Sequence, residues 1–266
     1  MLACGALAAP ASAVIRKARW LGNVVITEYY PVPEQWFTGQ KVEAPGLPGP
    51  HRIDWLYSAR GVSMEGDGID LDGNQVHIAD VGTGGWVDDR GRKTSPGGGG
   101  RPFWRAGAYW ESIDGWVTFP LDAGGWFHGV GATFVEPPGA TFAPGESRPL
   151  TPYKSVAVDP DTIPMGSKVY IPQYKHHGGW FTAADTGGAI QGRHVDVFRT
   201  PPASIDDTGH YFAGARVYVV PPGQRRPRGT PPGSQGQPQP PPASPQPGGG
   251  AVPSPGPSAT GGTSGG

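Results

Sequence analysis

The sequence has a single cysteine, no long apolar run and almost no excess of charge. Because Cys4 is the one thiol among 266 residues, an internal disulfide and a thiolate zinc site are excluded. No stretch approaches the roughly 18 consecutive apolar residues of a transmembrane helix, so no membrane span is predicted. The formal net charge is −1 at pH 7, and a near-neutral chain lacks the basic footprint of a nucleic-acid-binding protein.

The first 13 residues are small and mostly apolar. They end in Ala11-Ser12-Ala13, the A-x-A form that signal peptidase reads. We therefore expect residues 1–13 to be a truncated signal peptide and the protein to be exported to the cell envelope, the periplasm or the medium. Lipidation of Cys4 is the alternative.

Glycine and proline are abundant, with 45 and 33 residues respectively. They dominate residues 221–266, called the tail below, together with Ser, Gln and Ala. Such a segment buries too little apolar surface to offset the entropy lost on ordering. We expect the tail to be disordered or polyproline-like and the functional part to precede it.

Short runs rich in valine and isoleucine alternate with Gly, Pro and Asp between residues 22 and 220. Such runs, bounded by turn residues, predict strands, and their repetition predicts an all-β barrel or sandwich. No convincing amphipathic helix is found, and only one helical turn is predicted, at 201–207. The predicted strands include 24–27, 155–158, 168–171, 194–198 and 215–220.

The segment 31–149 combines many glycines with seven tryptophans. A glycine-rich segment with few aliphatic residues fills its core with large rings, so packing is one interpretation. Stacking of an exposed ring on a sugar is the other, and both stay open. The tryptophans are Trp36, Trp55, Trp86, Trp104, Trp110, Trp116 and Trp126.

Asp196 lies within a predicted strand, where aspartate is disfavoured unless it serves a functional face or an edge. Side chains alternate between the two faces of a strand. Val195 and Val197 therefore share one face, and His194 and Asp196 the other. With the valines buried, Asp196 faces a cleft or solvent.

A second carboxylate, Asp185, precedes Asp196 by eleven residues and is followed by Gly187 and Gly188. Two glycines let the backbone turn sharply and leave room beside the carboxylates. Asp185 alternatively bonds to its own loop in an Asx turn. Asp159, at the end of another predicted strand, is alternatively a turn residue.

Residues 155–160, 163–171, 184–190 and 195–198 together resemble the 3D domain, which is named for three aspartates. That domain is similar to the catalytic barrel of the membrane-bound lytic transglycosylase A family. The upstream segment Thr27-Glu28-Tyr29-Tyr30-Pro31 resembles the family's Thr-x-Tyr-Tyr strand, which lines the same groove.

The resemblance implies a six-stranded double-psi β-barrel at residues 22–220, with 31–149 as an unmatched insertion. It implies a monomer that cleaves the glycan strands of peptidoglycan with no metal or organic cofactor. Asp196 matches the family's catalytic acid and Asp185 its supporting carboxylate. The residues expected to contact substrate are Asp159, Thr27, Tyr30, Gly187, Gly188 and His194.

On this reading a protonated Asp196 donates to the glycosidic oxygen between N-acetylmuramic acid and N-acetylglucosamine. The resulting carboxylate then accepts the proton of the muramyl 6-hydroxyl, which closes a 1,6-anhydro sugar. A nearby Asp185 would raise the pKa of Asp196, because two close negative charges resist coexisting.

Other functions fit parts of the sequence. Asp185 acts as the base of an inverting hydrolase if the two carboxyl groups lie roughly 6.5–9.5 Å apart. A non-catalytic, expansin-like wall-binding module would use the tryptophans and not depend on Asp196.

Asp185-Thr186-Gly187 is also the triplet of aspartic proteases, but it occurs once where two copies are needed. Residues 70–74 hint at a calcium loop and are better interpreted as a turn.

Overall fold

The computed structural model describes residues 14–39, 41–82, 85–88, 92–95 and 140–234, and the backbone of four short strands between residues 103 and 135. The predicted signal peptide, Trp116, Trp126 and the tail beyond residue 234 lie outside the described residues.

Strands dominate the described chain, which is mostly β rather than all-β as predicted. In chain order the strands are β1 (Arg19–Tyr29), β2 (Val32–Pro33), β3 (Lys41–Glu43), β4 (Pro50–Arg52), β5 (Asp67–Ile69), β6 (Gln75–Asp80), β7 (Trp86–Val87), β8 (Phe103–Trp104), β9 (Tyr109–Glu111), β10 (Val117–Thr118), β11 (Thr133–Val135), β12 (Thr141–Pro144), β13 (Ser155–Val158), β14 (Lys168–Tyr170), β15 (Trp180–Asp185), β16 (His194–Phe198) and β17 (Phe212–Val220).

Two short helices, which sequence analysis does not predict, are α1 (Ile53–Tyr57) and α2 (Val62–Glu65). Two 3₁₀ segments lie at Glu34–Trp36 and Pro172–His177. Four of the five residues of α1 are buried. A helix that is buried on most sides shows no amphipathic period, which is why the sequence pattern conceals it.

Six strands pair in a closed ring in the order β1-β16-β13-β15-β14-β17, and β17 returns to β1. β1 runs parallel to β16 and β13 parallel to β15, while the other neighbours are antiparallel. Closure leaves the ring without a free edge. We call this ring the barrel.

Alternation along the strands fills the barrel with branched aliphatic side chains. Val24 and Ile26 of β1 and Val195 and Val197 of β16 have no exposed surface, and they belong to one apolar cluster. Because alternate residues point to opposite faces, the residues between them lie on the outer surface of the barrel. The predicted burial of the two β16 valines is confirmed.

The insertion forms a second body with its own core, built on the sheet β12-β6-β5-β2 and on both helices. Trp55 is fully buried there, and its indole Nε1 donates to the Val32 carbonyl over 2.7 Å. The packing interpretation is therefore confirmed for Trp55. Trp104 and Trp110 lie in β8 and β9, and their side chains are outside the described part of the structure.

The segment 201–207 joins the two bodies and contains no helix, so the helical turn predicted there is wrong. Ile205 packs against the insertion core. Its carbonyl accepts a hydrogen bond from Arg60 Nη2 rather than from a helical amide, and Asp206 Oδ1 lies 3.2 Å from the same nitrogen.

Candidate active site

Strand register places four residues in one row across four neighbouring barrel strands. Thr27 of β1 pairs with Asp196 of β16, Asp196 pairs with Ala157 of β13, and Ala157 pairs with Asp185 of β15. Neighbouring strands lie about 4.8 Å apart, so two strand spacings separate the backbones of the two aspartates. Ala157 lies between the two aspartates in this register, and it belongs to an apolar cluster with Tyr29, Ile190 and Phe198.

Asp196 ends a hydrogen-bonded chain of three side chains. The Thr27 hydroxyl donates to Asp196 Oδ1 over 2.6 Å, and its oxygen lies 2.8 Å from His194 Nε2. A hydroxyl has only one proton, so His194 donates to Thr27 whenever Thr27 donates to Asp196. Alternation within β16 and its parallel register with β1 bring the three groups together.

Burial raises the pKa of Asp196 to about 7, and the charges of Glu28 and Asp185 act in the same direction, against the hydrogen bond from Thr27. The side chain nevertheless keeps part of its surface exposed. Burial also lowers the pKa of His194. Near pH 7 the site thus holds a half-protonated, reachable carboxyl group beside a neutral imidazole, as general acid catalysis requires.

Asp185 is surrounded by donors. Its Oδ2 accepts the Tyr29 hydroxyl over 2.8 Å, and its Oδ1 accepts the Thr186 amide over 2.8 Å. Arg148 Nε lies 3.5 Å from the same Oδ1. Burial, followed by the charge of Asp185, raises the pKa of Tyr29, so this phenol stays protonated and acts as a donor.

Two carboxyl groups of the insertion face this row. Glu65 ends α2, and burial together with the negative charge of Asp196 raises its pKa to about 8. Asp67 begins β5 and accepts both the amide and the hydroxyl of Ser147, at 2.8 and 2.6 Å. Burial raises the pKa of Asp67, and the charge of Asp185 contributes. Carboxyl groups of both the barrel and the insertion therefore line the candidate site.

In the loop between Asp185 and Asp196, the glycine with a left-handed backbone is neither of the two on which the predicted turn depends. Gly187 and Gly188 do not adopt left-handed backbone conformations, whereas Gly192 has a φ of 64°. A side chain at Gly188 would meet open space, as expected, but at Gly187 it would press on Ile190. The backbone conformation that favours glycine thus lies at Gly192.

Asp159 lies outside the row and braces this loop. Its Oδ2 accepts the Gly192 amide over 2.6 Å, and its Oδ1 accepts the Asp161 amide over 2.9 Å. The turn interpretation of Asp159 is therefore confirmed, with the addition that the turn positions the loop. A direct contact of Asp159 with substrate stays a prediction.

Tyr30, predicted to contact substrate, directly follows β1 and is buried. Its ring meets Trp36 edge-on at 5.8 Å and lies under the Arg199 guanidinium at 4.9 Å. Tyr29, two residues after Thr27, is the tyrosine that shares the outer face with the row. Strand alternation predicts the position of Tyr29, and a contact of Tyr30 with substrate stays a prediction.

Sequence analysis also misses Glu65 and Arg148. Both come from the unmatched segment 31–149, and no local pattern signals their approach to the barrel. Among the described residues no group of three or more His, Cys, Asp or Glu is placed to hold a metal ion. No helix in the described part of the chain is long and apolar enough to cross a membrane.

Comparison with solved structures finds distant likenesses. MltA from E. coli with bound chitohexaose is 19% identical over 77% of this chain and 76% of that chain, with a TM-score of 0.37. A membrane-bound lytic murein transglycosylase from Agrobacterium tumefaciens is 13% identical over 77% of each chain, also with a TM-score of 0.37.

Sequence comparison is more specific and covers a smaller part of the chain. The cell wall-binding protein YocH of Bacillus subtilis is 60% identical over 64 residues, which are 24% of this chain. The chain spans 21% of the length of that relative. The family model described as the 3D domain matches residues 154–221, which include β13 to β17 and all three aspartates of the sequence motif. The chain therefore carries a 3D domain.

Proposed function

We propose that this protein is an exported, monomeric lytic transglycosylase that cleaves the glycan strands of peptidoglycan on a double-psi β-barrel. The observation that carries the proposal is Asp196, a partly exposed carboxyl group with a pKa of about 7 at the end of a chain of hydrogen bonds. The cell wall-binding name of the YocH relative supports the wall as the location of the substrate.

In the first step Asp196 donates its proton to the oxygen of the bond between N-acetylmuramic acid and N-acetylglucosamine. That bond breaks, N-acetylglucosamine leaves with a new hydroxyl group, and positive charge develops on the muramyl ring. Desolvation of Asp196 favours this step, because it makes the carboxylic acid hold its proton up to neutral pH.

In the second step the Asp196 carboxylate accepts the proton of the muramyl 6-hydroxyl. The 6-oxygen bonds to the anomeric carbon and forms a 1,6-anhydro ring, and Asp196 regains its proton. Thr27 donates to the carboxylate while it is charged, and neutral His194 supports Thr27. No net proton and no cofactor is consumed.

Asp185 has an electrostatic role in this scheme. Tyr29, Thr186 and Arg148 fix its orientation, and its negative charge stabilises the positive charge that develops on the sugar. The glycan would lie between the barrel and the insertion, with Asp196 below it and Glu65 above. Substrate contacts by Thr27, His194 and the loop at Gly188 belong to the same proposal.

The test is digestion of purified peptidoglycan followed by mass spectrometry of the soluble muropeptides. We expect anhydro-muropeptides from the unmodified protein and a loss of at least about 10³-fold in rate for Asp196→Asn, since the amide has no proton to donate. Asp72→Asn, at an exposed turn, is the matched control and should retain full activity. Hydrated reducing ends instead of anhydro ends would mean that the protein is an inverting hydrolase.

A non-catalytic wall-binding module is the second candidate, because the YocH relative is named for binding. It predicts that the protein sediments with insoluble peptidoglycan and releases no soluble product. It also predicts that Asp196→Asn binds the wall as well as the unmodified protein does. That pair of results would refute the lyase proposal.

A further inference from the structure

A row of four aromatic side chains crosses the half of the barrel opposite the candidate site. Trp20 of β1 pairs with Tyr218 of β17, Tyr218 with Tyr170 of β14, and Tyr170 with Trp180 of β15. Ring centroids lie 5.4 Å apart for Trp20 and Tyr218, 6.5 Å for Tyr218 and Trp180, and 5.2 Å for Tyr170 and Trp180. The rings thus form one continuous surface, which we call the aromatic row.

The tail covers this row with its residues 229–234, which we call the strap. Trp20 Nε1 donates to the Pro232 carbonyl over 2.8 Å, and Trp180 Nε1 donates to the Gly229 carbonyl over 2.9 Å. Pro231, between the two acceptors, is buried. Both indole N–H groups therefore bind main-chain oxygens of one proline-containing segment.

The two acceptors lie three residues apart on a chain that curves over the row. Residues 228–230 form a bend, and Pro232 and Gly233 form a turn. Gly229, which is the first acceptor, and Gly233, which follows the second, have φ values of 73° and 75°. These left-handed residues turn the chain onto the row and away from it again.

Contacts before the strap fix the direction in which the tail leaves β17. Gln224 accepts the Ala18 amide at 3.0 Å and donates to the Arg16 carbonyl at 2.8 Å. The Arg226 guanidinium lies 5.1 Å from the centroid of the Trp180 ring. The chain is thus held both before the strap and along it.

We propose that the aromatic row is a binding site for proline-rich peptide and that the protein's own strap occupies it. Aromatic grooves whose indole N–H groups bind peptide carbonyls are a recurrent means of recognising proline-rich chains. Sugar stacking also uses exposed rings, but here both indole donors are committed to carbonyls three residues apart. The site is distinct from the candidate active site, so this proposal does not depend on the proposed function.

Limited trypsin digestion of the full chain tests the proposal at the Arg228–Gly229 bond, which enters the strap. Cleavage of this bond follows the fraction of molecules in which the strap is released. The double substitution Trp20→Phe and Trp180→Phe keeps the aromatic surface and removes both donors. We expect cleavage about tenfold faster or more, since each bond accounts for a several-fold change.

Trp36→Phe is the matched control, because Trp36 lies outside the row, and it should leave the rate unchanged. Cleavage after Lys168, within β14, reports on barrel unfolding and should stay equally slow in all variants. If the double variant does not accelerate cleavage at Arg228, or if the unmodified protein is cut there as fast as a free peptide, the proposal is wrong.

Competition with free peptide tests the class of ligand. The hexapeptide Gly-Thr-Pro-Pro-Gly-Ser, which has the strap sequence and no trypsin site, should accelerate cleavage at Arg228 in a saturable manner. Millimolar concentrations are needed because the strap competes within the same molecule. The control peptide Gly-Thr-Ala-Ala-Gly-Ser should have no effect. Failure of the strap peptide, or acceleration by chitohexaose in its place, would overturn the assignment to proline-rich chains.

Discussion

Asp196 obtains its acid–base properties from groups that are far apart in the sequence. Burial and the nearby charges of Glu28 and Asp185 raise its pKa, whereas the hydrogen bond from Thr27 lowers it. Together these effects favour the protonated form of Asp196, because one hydrogen bond from a neutral hydroxyl only partly replaces the hydration that the carboxylate loses. The result is a carboxyl group that titrates near pH 7.

The raised pKa of Asp196 should destabilise the folded protein at neutral pH. An unfolded Asp loses its proton near pH 3.9, about three units below the folded value. Between about pH 4 and pH 7 the folded state therefore binds more protons, and stability falls as pH rises. We expect Asp196→Asn to leave stability nearly unchanged at pH 4 and to raise the free energy of unfolding by about 1 kcal/mol or more at pH 8.

Urea unfolding of both proteins between pH 4 and pH 8 measures this difference. Thr27→Val, which removes the donor to the carboxylate at nearly constant volume, should raise the pKa of Asp196 further. The pH range over which the stability of the folded protein falls should therefore extend above pH 7. A difference between Asp196→Asn and the unmodified protein that is constant across the range would show that Asp196 titrates normally.

Several site residues were predictable from the sequence because strand alternation is a local rule. Asp196 and His194 share one face of a strand whose valines are buried, and the motif points to Thr27. Tyr29 follows from the same alternation applied to β1. Glu65 and Arg148 were not predictable, since their approach to the aspartates depends on how the insertion docks on the barrel.

At the scale of elements, the loop of residues 186–193 determines how β15 presents Asp185 relative to Asp196 on β16. Asp159, at the end of β13, holds this loop through the Gly192 amide, over 2.6 Å. The bounds of β13 and β16 followed from short valine-rich runs, whereas β1 and β17 begin earlier than predicted. The bond between these distant segments had no local signal in the sequence. Asp159, a turn residue that follows β13, thus positions the loop between β15 and β16.

Asp159→Ala should remove that brace. The Gly192 amide, which is partly buried, would lose its acceptor, so the free energy of unfolding should fall by about 1–2 kcal/mol. We also expect release of muropeptides to slow by about tenfold, because a displaced loop misplaces Asp185. The measurements are urea unfolding and peptidoglycan digestion.

Asp161→Ala is the matched control for Asp159→Ala. The Asp161 side chain is exposed, and only its backbone amide bonds to Asp159, so this variant should match the unmodified protein. If Asp159→Ala keeps its stability and its activity, then Asp159 does not position the loop.

At the scale of the whole molecule, the barrel and the insertion both contribute carboxyl groups to the same gap: Asp196 and Asp185 from the barrel, Glu65 and Asp67 from the insertion. Arg60, between α1 and α2, binds the 205–206 segment of the barrel, and Ile205 packs into the insertion core. This docking holds Glu65 close enough to Asp196 for the two charges to interact. The negative charge of Asp196 therefore adds to burial in raising the pKa of Glu65.

Asp196→Asn should consequently make Glu65 ionise at lower pH, because the negative charge of Asp196 contributes to the raised pKa of Glu65. Glu65, with a pKa of about 8, is still protonated when Asp196 ionises near pH 7, so Glu65→Gln should leave the alkaline limit of activity unchanged. The folded state holds the Glu65 proton more tightly than the unfolded state does, so Glu65→Gln should stabilise the protein increasingly as pH rises toward 8. In an Asp196→Asn background this gain should appear at lower pH, and urea unfolding of the single and double variants measures the shift. Glu146→Gln, at an exposed position, is the matched control and should leave the free energy of unfolding nearly unchanged. A gain from Glu65→Gln that appears at the same pH in both backgrounds would mean that the two bodies are not coupled through their carboxyl groups.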